Sequence, residues 1–422
     1  MTNDDGSGRP IVVADAGFLP TTRQMALAVS DELWRYYTPY WAGGLGGRLM
    51  QVPRLGKELA RRSLPPELLS RAQSFQTGTE LVRIGLGRLG VHAFDRRLIW
   101  RRNTAFDRQV AAAVEPSTNL IGQYGASLAS FERARRLGGT TILDYPIARL
   151  DFTYELLAEE AGLRPLFADT VFGANALTPQ LKHLTRVAAE VDLASLLIVG
   201  SQFAAKSFAG VVEQTRIAVI QYGVDTSDFR PGTDVGGGGP LRVLFAGQLT
   251  QRKGIAYLVE AMELLDPAAF ELTLVGPVVG SGRGLRRYES SFRHIAGVPP
   301  QDMPIVYRQA DVLVLPSLVE GSAVVVLEAM ASGLPVIVTP NVGADAVSDG
   351  VDGFIVPIRS PEAIAARLEL LASDPELRLR MGRAALRRSA ALDWSAFRNR
   401  IRELVLGSKS PLIPEPSLGT VI

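Results

Sequence analysis

The fold of this chain is decided by Asp311-Val312-Leu313-Val314-Leu315-Pro316-Ser317, with Glu320-Gly321-Ser322-Ala323-Val324-Val325-Val326-Leu327-Glu328 just downstream. The first run is short, apolar and without alternation, which predicts a buried parallel strand. The second predicts a loop and then a helix over residues 324–333, and residues 335–338 predict the next strand. These segments form a βαβ unit. Its loop lies at the carboxyl end of the first strand, where open α/β sheets bind ligands.

The start of this helix predicts a phosphate site. Ser322, Ala323 and Val324 would present free N–H groups, and the N-terminal end of a helix favours negative charge. Glu320 then lies at the edge of the phosphate site, and Glu328 lies eight residues further along. A nucleotide with its pyrophosphate at the helix end would meet one carboxylate on each side.

This spacing of two glutamates resembles the Glu-x7-Glu pattern of retaining glycosyltransferases of the GT-B fold, glycosyltransferase family 4. Two glutamates at this spacing are by themselves more often a solvated pair, so the flanking segments carry the resemblance. The segments that agree with the family are Pro316-Ser317, Ala329 to Ile337, Asp349 to Pro357, Glu190 to Ser201, and Gly223-Val224-Asp225 with Phe229-Arg230-Pro231. The resemblance implies an α/β fold with two Rossmann-like doubly wound domains that face each other across a cleft.

The resemblance also implies a role for each site residue. Glu320 would be the catalytic residue, in contact with the donor sugar or with positive charge at its anomeric carbon. Glu328 would hold the ribose hydroxyls, and Lys253 would bind the diphosphate. The nucleotide base would lie against the segment around Ile295. The full donor-binding set is Gly247, Gln248, Arg252, Lys253, Ile295, Gly321, Ser322, Ala323, Val324 and Glu328.

One departure from the family lies at the diphosphate. Family members carry a basic pair here, and Lys253-Gly254 matches its second half, but Gln248 stands where an arginine is usual. A leaving diphosphate needs cationic or amide neutralisation as the glycosidic bond breaks. We therefore expect Arg252 to replace the missing charge, against the alternative that it is an ordinary surface residue.

The acceptor side departs further. The loop after the first strand has a single glycine, Gly17, and the family's histidine is absent from the segment Asp144 to Arg149. Asp144, Tyr145 or Arg149 would then serve the acceptor, or the leaving phosphate would accept the proton. Two alternatives stay open: a catalytically impaired partner that binds nucleotide sugars, and a sugar-nucleotide epimerase of the same fold.

Composition agrees with a packed intracellular enzyme. The chain has 422 residues, 47% hydrophobic content, no cysteine and three histidines, which disfavours disulfides and a histidine-rich metal site. It has no run of about 18 apolar residues and no signal-peptide pattern at its start. Together with this composition, the resemblance implies a cytoplasmic enzyme that uses a UDP- or GDP-linked sugar as donor, with no metal and no other cofactor, in polysaccharide, glycoconjugate or glycolipid synthesis.

A basic stretch covers residues 42–110, with thirteen Arg or Lys against five acids. It is either a solvated face or a surface for an anionic membrane or phosphorylated acceptor, which would place the protein at the inner face of the membrane. Arg96, Arg97, Arg101 and Arg102 flank Trp100 there. No nucleic-acid-binding motif is present.

The chain divides into two similar halves. Residues 1–230 are predicted to form the acceptor-side domain, residues 231–393 the nucleotide-sugar domain, and residues 394–422 a helix that crosses back to the first domain and a loose tail. A helix is predicted over Thr22–Glu32 with Thr21 or Thr22 as N-cap. A flexible break is predicted at Gly236–Gly239.

Overall fold

Seven parallel strands form the first sheet of the computed structural model, which describes residues 9–17, 19–40, 63–88, 95–171, 181–232, 239–343 and 345–407. They are β1 (Ile11–Ala14), β2 (Leu33–Thr38), β3 (Ala72–Ser74), β4 (Asn119–Gln123), β5 (Thr140–Asp144), β6 (Leu196–Val199) and β7 (Ile217–Val219). Their order is β3-β2-β1-β4-β5-β6-β7. The central strands are buried apolar runs because helices cover both faces of the sheet.

The described helices of this half connect the strands. They are α1 (Pro20–Ala28), α2 (Pro66–Leu69), α3 (Thr77–Arg88), α4 (Asp95–Ala113), α5 (Leu128–Arg136), α6 (Leu150–Leu163), α7 (Ala168–Val171), α8 (Leu181–Leu193) and α9 (Gln202–Lys206), with 3₁₀ turns at Pro165–Phe167 and Gln214–Arg216. Strand, helix and parallel strand alternate through most of the half, as the sequence predicts.

Six parallel strands form the second sheet. They are β8 (Leu241–Ala246), β9 (Phe270–Val275), β10 (Arg293–Ile295), β11 (Val312–Leu315), β12 (Val336–Val338) and β13 (Gly353–Ile355), in the order β10-β9-β8-β11-β12-β13. The helices are α10 (Ile255–Glu263), α11 (Arg283–Arg286), α12 (Met303–Arg308), α13 (Val324–Ala331), α14 (Pro361–Ser373) and α15 (Pro375–Ser389). Further 3₁₀ turns span Gln251–Lys253, Glu289–Ser291, Pro300–Asp302 and Pro340–Val342. Residues 236–238 of the predicted glycine break lie outside the described residues.

The last described helix, α16 (Trp394–Leu406), packs on the first half as predicted. Asp393 caps it by accepting from the amide of Ala396. Its apolar face buries Phe397 and Ile401 in a core shared with α1. The i, i+4 spacing of these two residues places them on one face of the helix.

The predicted start of α1 is wrong by two residues. The helix begins at Pro20 rather than Thr22 and ends at Ala28, with Leu19 as N-cap. The hydroxyls of Thr21 and Thr22 do not cap it, because both donate to Asp144 at the end of β5, at 2.8 and 2.6 Å. A distant buried carboxylate therefore replaces the local capping bond that the sequence predicts.

Part of the basic stretch packs inside the first half. Arg102 is 5% exposed and forms a buried ion pair with Glu80 at 2.6 Å, so it does not face a membrane as hypothesised. Its second nitrogen donates to the carbonyl of Ala16 in the loop after β1. Arg101 is exposed, and the side chains of Arg96 and Arg97 lie outside the described set. Among the described residues, no helix is both long and apolar enough to cross a bilayer.

Replacing Phe397 with Ala should destabilise the first half. The ring is 2% exposed and packs against Tyr222 and Trp394, with ring centroids 6.2 and 5.5 Å apart. Removing a buried phenyl group leaves a cavity and costs about 3–5 kcal/mol of unfolding free energy. Urea denaturation measures this, and Arg400→Ala on the exposed side of α16 should change it by less than about 0.5 kcal/mol. Equal losses for both variants would show that α16 is not docked.

Candidate active site

The loop from Leu318 to Ala323, after β11, lies where the two halves meet. The carbonyl of Pro146, from the first half, would lie 1.9 Å from a Cβ at Gly321, so only glycine fits there. Ser201, after β6, donates its hydroxyl proton to the carbonyl of Gly321. The loop is therefore pressed between the carboxyl ends of both sheets, in the position that the sequence predicts for ligand binding.

Glu320 forms ion pairs with two cations from the loop after β8. Its two oxygens lie 2.7 Å from an Arg252 nitrogen and 2.8 Å from the Lys253 ammonium. Burial raises the pKa of Glu320, but Lys253 and Arg252 outweigh it and hold the pKa below its usual value. The carboxylate is therefore charged at neutral pH, and both cations face one point at the site.

The backbone at Gly247 makes room for Lys253. Gly247 has a φ of 137°, and a Cβ there would lie 3.1 to 3.3 Å from the end of the Lys253 side chain. The lysine thus extends across the end of β8 towards Glu320. Gln248 is exposed, and Arg252 lies with Lys253 on the same carboxylate. The structure therefore places Arg252 beside the lysine, and its replacement of the missing arginine at position 248 stays a prediction.

The predicted row of free amides at the start of α13 is shorter than expected. The amide of Ala323 donates to the carbonyl of Val342 at 3.2 Å, so it is not free for a phosphate. The amides of Ser322 and Val324 have no partner among the described residues. The helix still presents its N-terminal end to the cleft, but the phosphate site that it offers is narrower than the sequence predicts.

Glu328 is held by a residue that the sequence analysis missed. The hydroxyl of Tyr307, in α12, donates to a Glu328 oxygen at 2.7 Å. Burial raises the pKa of Glu328, and this hydrogen bond opposes the rise. Tyr307 has no exposed surface and packs on Phe229 at 5.6 Å between ring centroids. One Glu328 oxygen is thereby fixed, and the other has no hydrogen-bond partner among the described residues.

The segment predicted to meet the base forms the edge strand β10. The carbonyl of Ile295 accepts from the amide of Gly276 at 2.9 Å, and the His294 ring bonds the Gly276 carbonyl at 2.8 Å. His294 is thus a strand residue that supports the turn after β9.

Asp144 lies on the acceptor side beneath α1 and is 1% exposed. One oxygen accepts from Thr21 and Thr22, and the other is buried without a hydrogen-bond partner among the described residues. Burial raises the pKa of Asp144 to about 6, with the threonine bonds opposing the rise. Gln123, opposite Asp144 in the sheet, packs its amide against Gly17.

The polar groups of Tyr145 and Arg149 both contact the first residues of α6. Tyr145 has no exposed surface, and its hydroxyl accepts from the amide of Leu150 at 3.0 Å. Its polar atom thus fixes the start of α6, and its contact with an acceptor stays a prediction. Arg149 pairs with Asp151 at 2.9 Å. Both residues line a cavity of about 250 Å³ between α6 and α8.

Comparison with known proteins agrees with this geometry. Residues 240–374 match the family model described as glycosyl transferases group 1. The D-inositol 3-phosphate glycosyltransferase of Corynebacterium glutamicum is 33% identical over 205 residues, which cover 43% of this chain and 49% of that protein. The enzyme of the same name from Streptomyces avermitilis is 36% identical, over 43% of this chain and 45% of its own length. The chain thus spans about half the length of these relatives.

Solved structures match nearly the whole chain. Sucrose-phosphate synthase from Thermosynechococcus elongatus has a TM-score of 0.67 at 20% identity, over 95% of this chain and 99% of its own. HepE from Anabaena in complex with UDP-glucose has a TM-score of 0.62 at 16% identity, over 95% of this chain and 100% of its own. At such identity these likenesses establish the fold. The chain therefore has the GT-B fold, and its second domain carries the match to glycosyl transferases group 1.

Proposed function

We propose that this chain is a glycosyltransferase that moves a sugar from a UDP- or GDP-linked donor to a sugar or lipid-linked acceptor with retention of configuration. Its setting would be polysaccharide, glycoconjugate or glycolipid synthesis. The observation that carries the proposal is the convergence of Arg252 and Lys253 on Glu320 beside the start of α13. Two cations, helix amides and a charged carboxylate within one cleft suit a diphosphate next to a sugar with developing positive charge.

The donor would exchange partners with Glu320. A diphosphate at the start of α13 offers Lys253 and Arg252 several anionic oxygens, which replace the carboxylate of Glu320. Glu320, freed from these ion pairs, would then lie beside the anomeric carbon and stabilise its positive charge. The same cations would neutralise the leaving diphosphate, which is where charge develops in the transition state.

The nucleoside would lie along the second domain. The free oxygen of Glu328 would accept from the ribose hydroxyls, with Tyr307 holding the carboxylate in place. The base would contact the backbone around Ile295. The acceptor would approach from Gly17 and Asp144, and one Asp144 oxygen has no hydrogen-bond partner among the described residues.

Incubation with labelled UDP- and GDP-sugars tests this proposal against the two other functions. Slow hydrolysis with retained anomeric configuration supports a retaining transferase. Inversion at C2 of the sugar would show an epimerase. Binding without turnover, with or without a saccharide acceptor, would show a nucleotide-sugar-binding partner without catalysis, to which Gln248 and the absent histidine would then be attributed.

Replacing Glu328 with Gln should weaken binding of nucleoside and nucleoside diphosphate alike. The amide oxygen can still accept from Tyr307, but the charge that accepts the ribose hydroxyls is lost, at about 1.5–3 kcal/mol. Calorimetric titration with UDP and GDP measures the change, and Glu289→Gln on the exposed surface is the control. An affinity equal to that of the wild type would refute the ribose role.

Replacing Lys253 with Ala should separate the diphosphate from the nucleoside. Loss of a charge-assisted contact should cost about 1.5–3 kcal/mol for UDP or GDP and slow turnover, while uridine or guanosine binds as before. Lys182→Ala, at an exposed position, should leave both affinities unchanged. If Lys253→Ala weakens nucleoside and diphosphate equally, the lysine acts through the fold rather than through phosphate.

Replacing Asp144 with Asn tests whether this carboxyl is neutral when folded. Its pKa is about 6, against a usual value of 3.8, so between these values the folded chain keeps a proton that the unfolded chain releases. The stability that this bound proton contributes is complete below pH 3.8, and it is lost as pH rises through about 6. Relative to Asp144→Asn, the wild type should lose up to about 3 kcal/mol of unfolding free energy between pH of about 4 and 7.

Urea denaturation across this pH range measures the difference. Asp228→Asn, at an exposed position, should differ from the wild type by an amount that does not change with pH. Parallel pH profiles for wild type and Asp144→Asn would mean that Asp144 is ionised in the folded chain.

A further inference from the structure

Glu160, in α6 of the first half, is buried against the second half. It has no exposed surface. One of its oxygens accepts from the Gln251 amide group and from the Tyr257 hydroxyl, both at 2.6 Å. The other accepts from Arg359 at 2.8 Å. Three donors from the second half thus converge on one carboxylate of the first.

Gln251 is the first residue of the 3₁₀ turn that carries Arg252 and Lys253. It is fully buried. Its side-chain oxygen accepts from the amide of Ala256 at 3.0 Å, in the first turn of α10. Its backbone amide donates to the hydroxyl of Thr170, in α7, at 2.9 Å. Two of its hydrogen bonds therefore go to the first half, to Glu160 and Thr170.

The surrounding contacts fix the first half on the second at this point. Arg164 pairs with Glu260 at 2.9 Å and lies over the Tyr257 ring at 4.7 Å. Phe167 belongs to the hydrophobic core of the second half. The carboxylate of Asp169 accepts from the amide of Ser281 at 2.7 Å. Glu160 is therefore held at the centre of a packed contact and not at a loose surface.

The charge of Glu160 matters because of where it lies. A carboxylate taken out of water is stable only with donors around it, and donors that lose such a partner are left buried and unsatisfied. Without this carboxylate, the Gln251 amide and the Tyr257 hydroxyl would lose their shared acceptor. The turn would then be free to relax, and Lys253 lies only two residues beyond Gln251.

We propose that Glu160 is a positioning residue for the donor diphosphate: through Gln251 it sets the turn that aims Arg252 and Lys253. Diphosphate affinity in the second half would thus depend on the docking of a helix from the first half. This inference rests on the proposed function, since it assumes that these cations bind a diphosphate.

The test compares Glu160→Gln with Glu159→Gln. Glu159 is the adjacent residue, is 59% exposed in its side chain and pairs with the same Arg359, but it does not contact Gln251. Both variants lose one charge from the same helix turn. Calorimetric titration with UDP, GDP, uridine and guanosine measures the affinity for each ligand.

We expect Glu160→Gln to weaken diphosphate binding by about tenfold, as loss of a buried hydrogen-bonded charge implies. Nucleoside affinity should change by less than about twofold, and Glu159→Gln should match the wild type. The double variant with Lys253→Ala should lose less diphosphate-binding free energy than the sum of the losses in the two single variants, because both residues act on one contact.

Three outcomes would overturn the inference. Wild-type diphosphate affinity in Glu160→Gln would show that Gln251 does not need this carboxylate. An equal loss for nucleoside and diphosphate would show an effect on the whole fold. Additive losses in the double variant would show that Glu160 does not act through Lys253.

Two further measurements keep these outcomes separate. If circular dichroism shows that Glu160→Gln is unfolded, Thr170→Val decides, since it removes the other first-half acceptor of Gln251 and should give the same selective loss. If the wild-type protein binds neither UDP nor GDP, the proposed function fails, and the inference fails with it. If the wild type binds UDP or GDP, and Glu160→Gln and Thr170→Val bind it equally well, only the inference fails.

Discussion

The ion pairs of Glu320 with Lys253 and Arg252 join the two loops on which the site depends. One loop follows β8 and the other follows β11, adjacent strands of the second sheet. Glu320 is bonded through its own amide to the carbonyl of Asn341, and Arg252 also donates to the carbonyl of Val319. One carboxylate thus pairs with two cations, so the cluster keeps a net positive charge. Under the proposed function, a donor would have to offer these cations at least as good a set of anionic oxygens, which favours a diphosphate over a single weak anion.

Buried carboxylates are used repeatedly to join elements that are distant in sequence. Asp144 holds the threonines of α1, and Glu160 holds the turn of Gln251. Glu190 accepts from the amides of Gly125 and Ser127, and burial raises its pKa to about 7. Each is costly to bury and accepts hydrogen bonds from more than one donor, and removal of either partner leaves the other unsatisfied. These contacts fix loops at the carboxyl ends of strands, where geometry matters most for a ligand.

Much of the fold could be predicted from the sequence because apolar runs and helical periodicity are local signals. Helix α16 begins at Trp394, where the sequence analysis begins the helix that crosses back to the first domain. The sequence analysis predicts neither the short edge strand β3 nor the helices α3 and α4, which lie in the basic stretch of residues 42–110 or begin there. The start of α1 was misplaced because Asp144, more than a hundred residues away, takes the hydroxyls that would otherwise cap it. Tertiary contacts of this kind override local propensity.

The candidate site likewise contains residues that could be predicted from the sequence and residues that could not. The positions of Glu320 and Lys253 follow from a local pattern, and the structure brings them together. Tyr307, Glu160 and the partner of the Ala323 amide could not be found, since each acts through a contact that no spacing in the sequence encodes. Tyr307 lies 21 residues from Glu328, and Glu160 lies 91 residues from Gln251. The amide of Ala323 is taken by Val342, which only the folding of the next βα unit brings near.

The two halves differ in what occupies the start of a central helix. In the first half, α5 follows β4, and its first amides are already bonded: Asp107 accepts from Ala129 and Ser130, next to the bonds of Glu190. The chain thus places its own carboxylates where a phosphate would bind. At α13 in the second half, Glu320 lies to one side and pairs with cations, and the amides of Ser322 and Val324 lack partners among the described residues. The helix dipole is therefore satisfied internally in one half and open in the other, which supports the proposal that the anionic part of the donor binds to the second half.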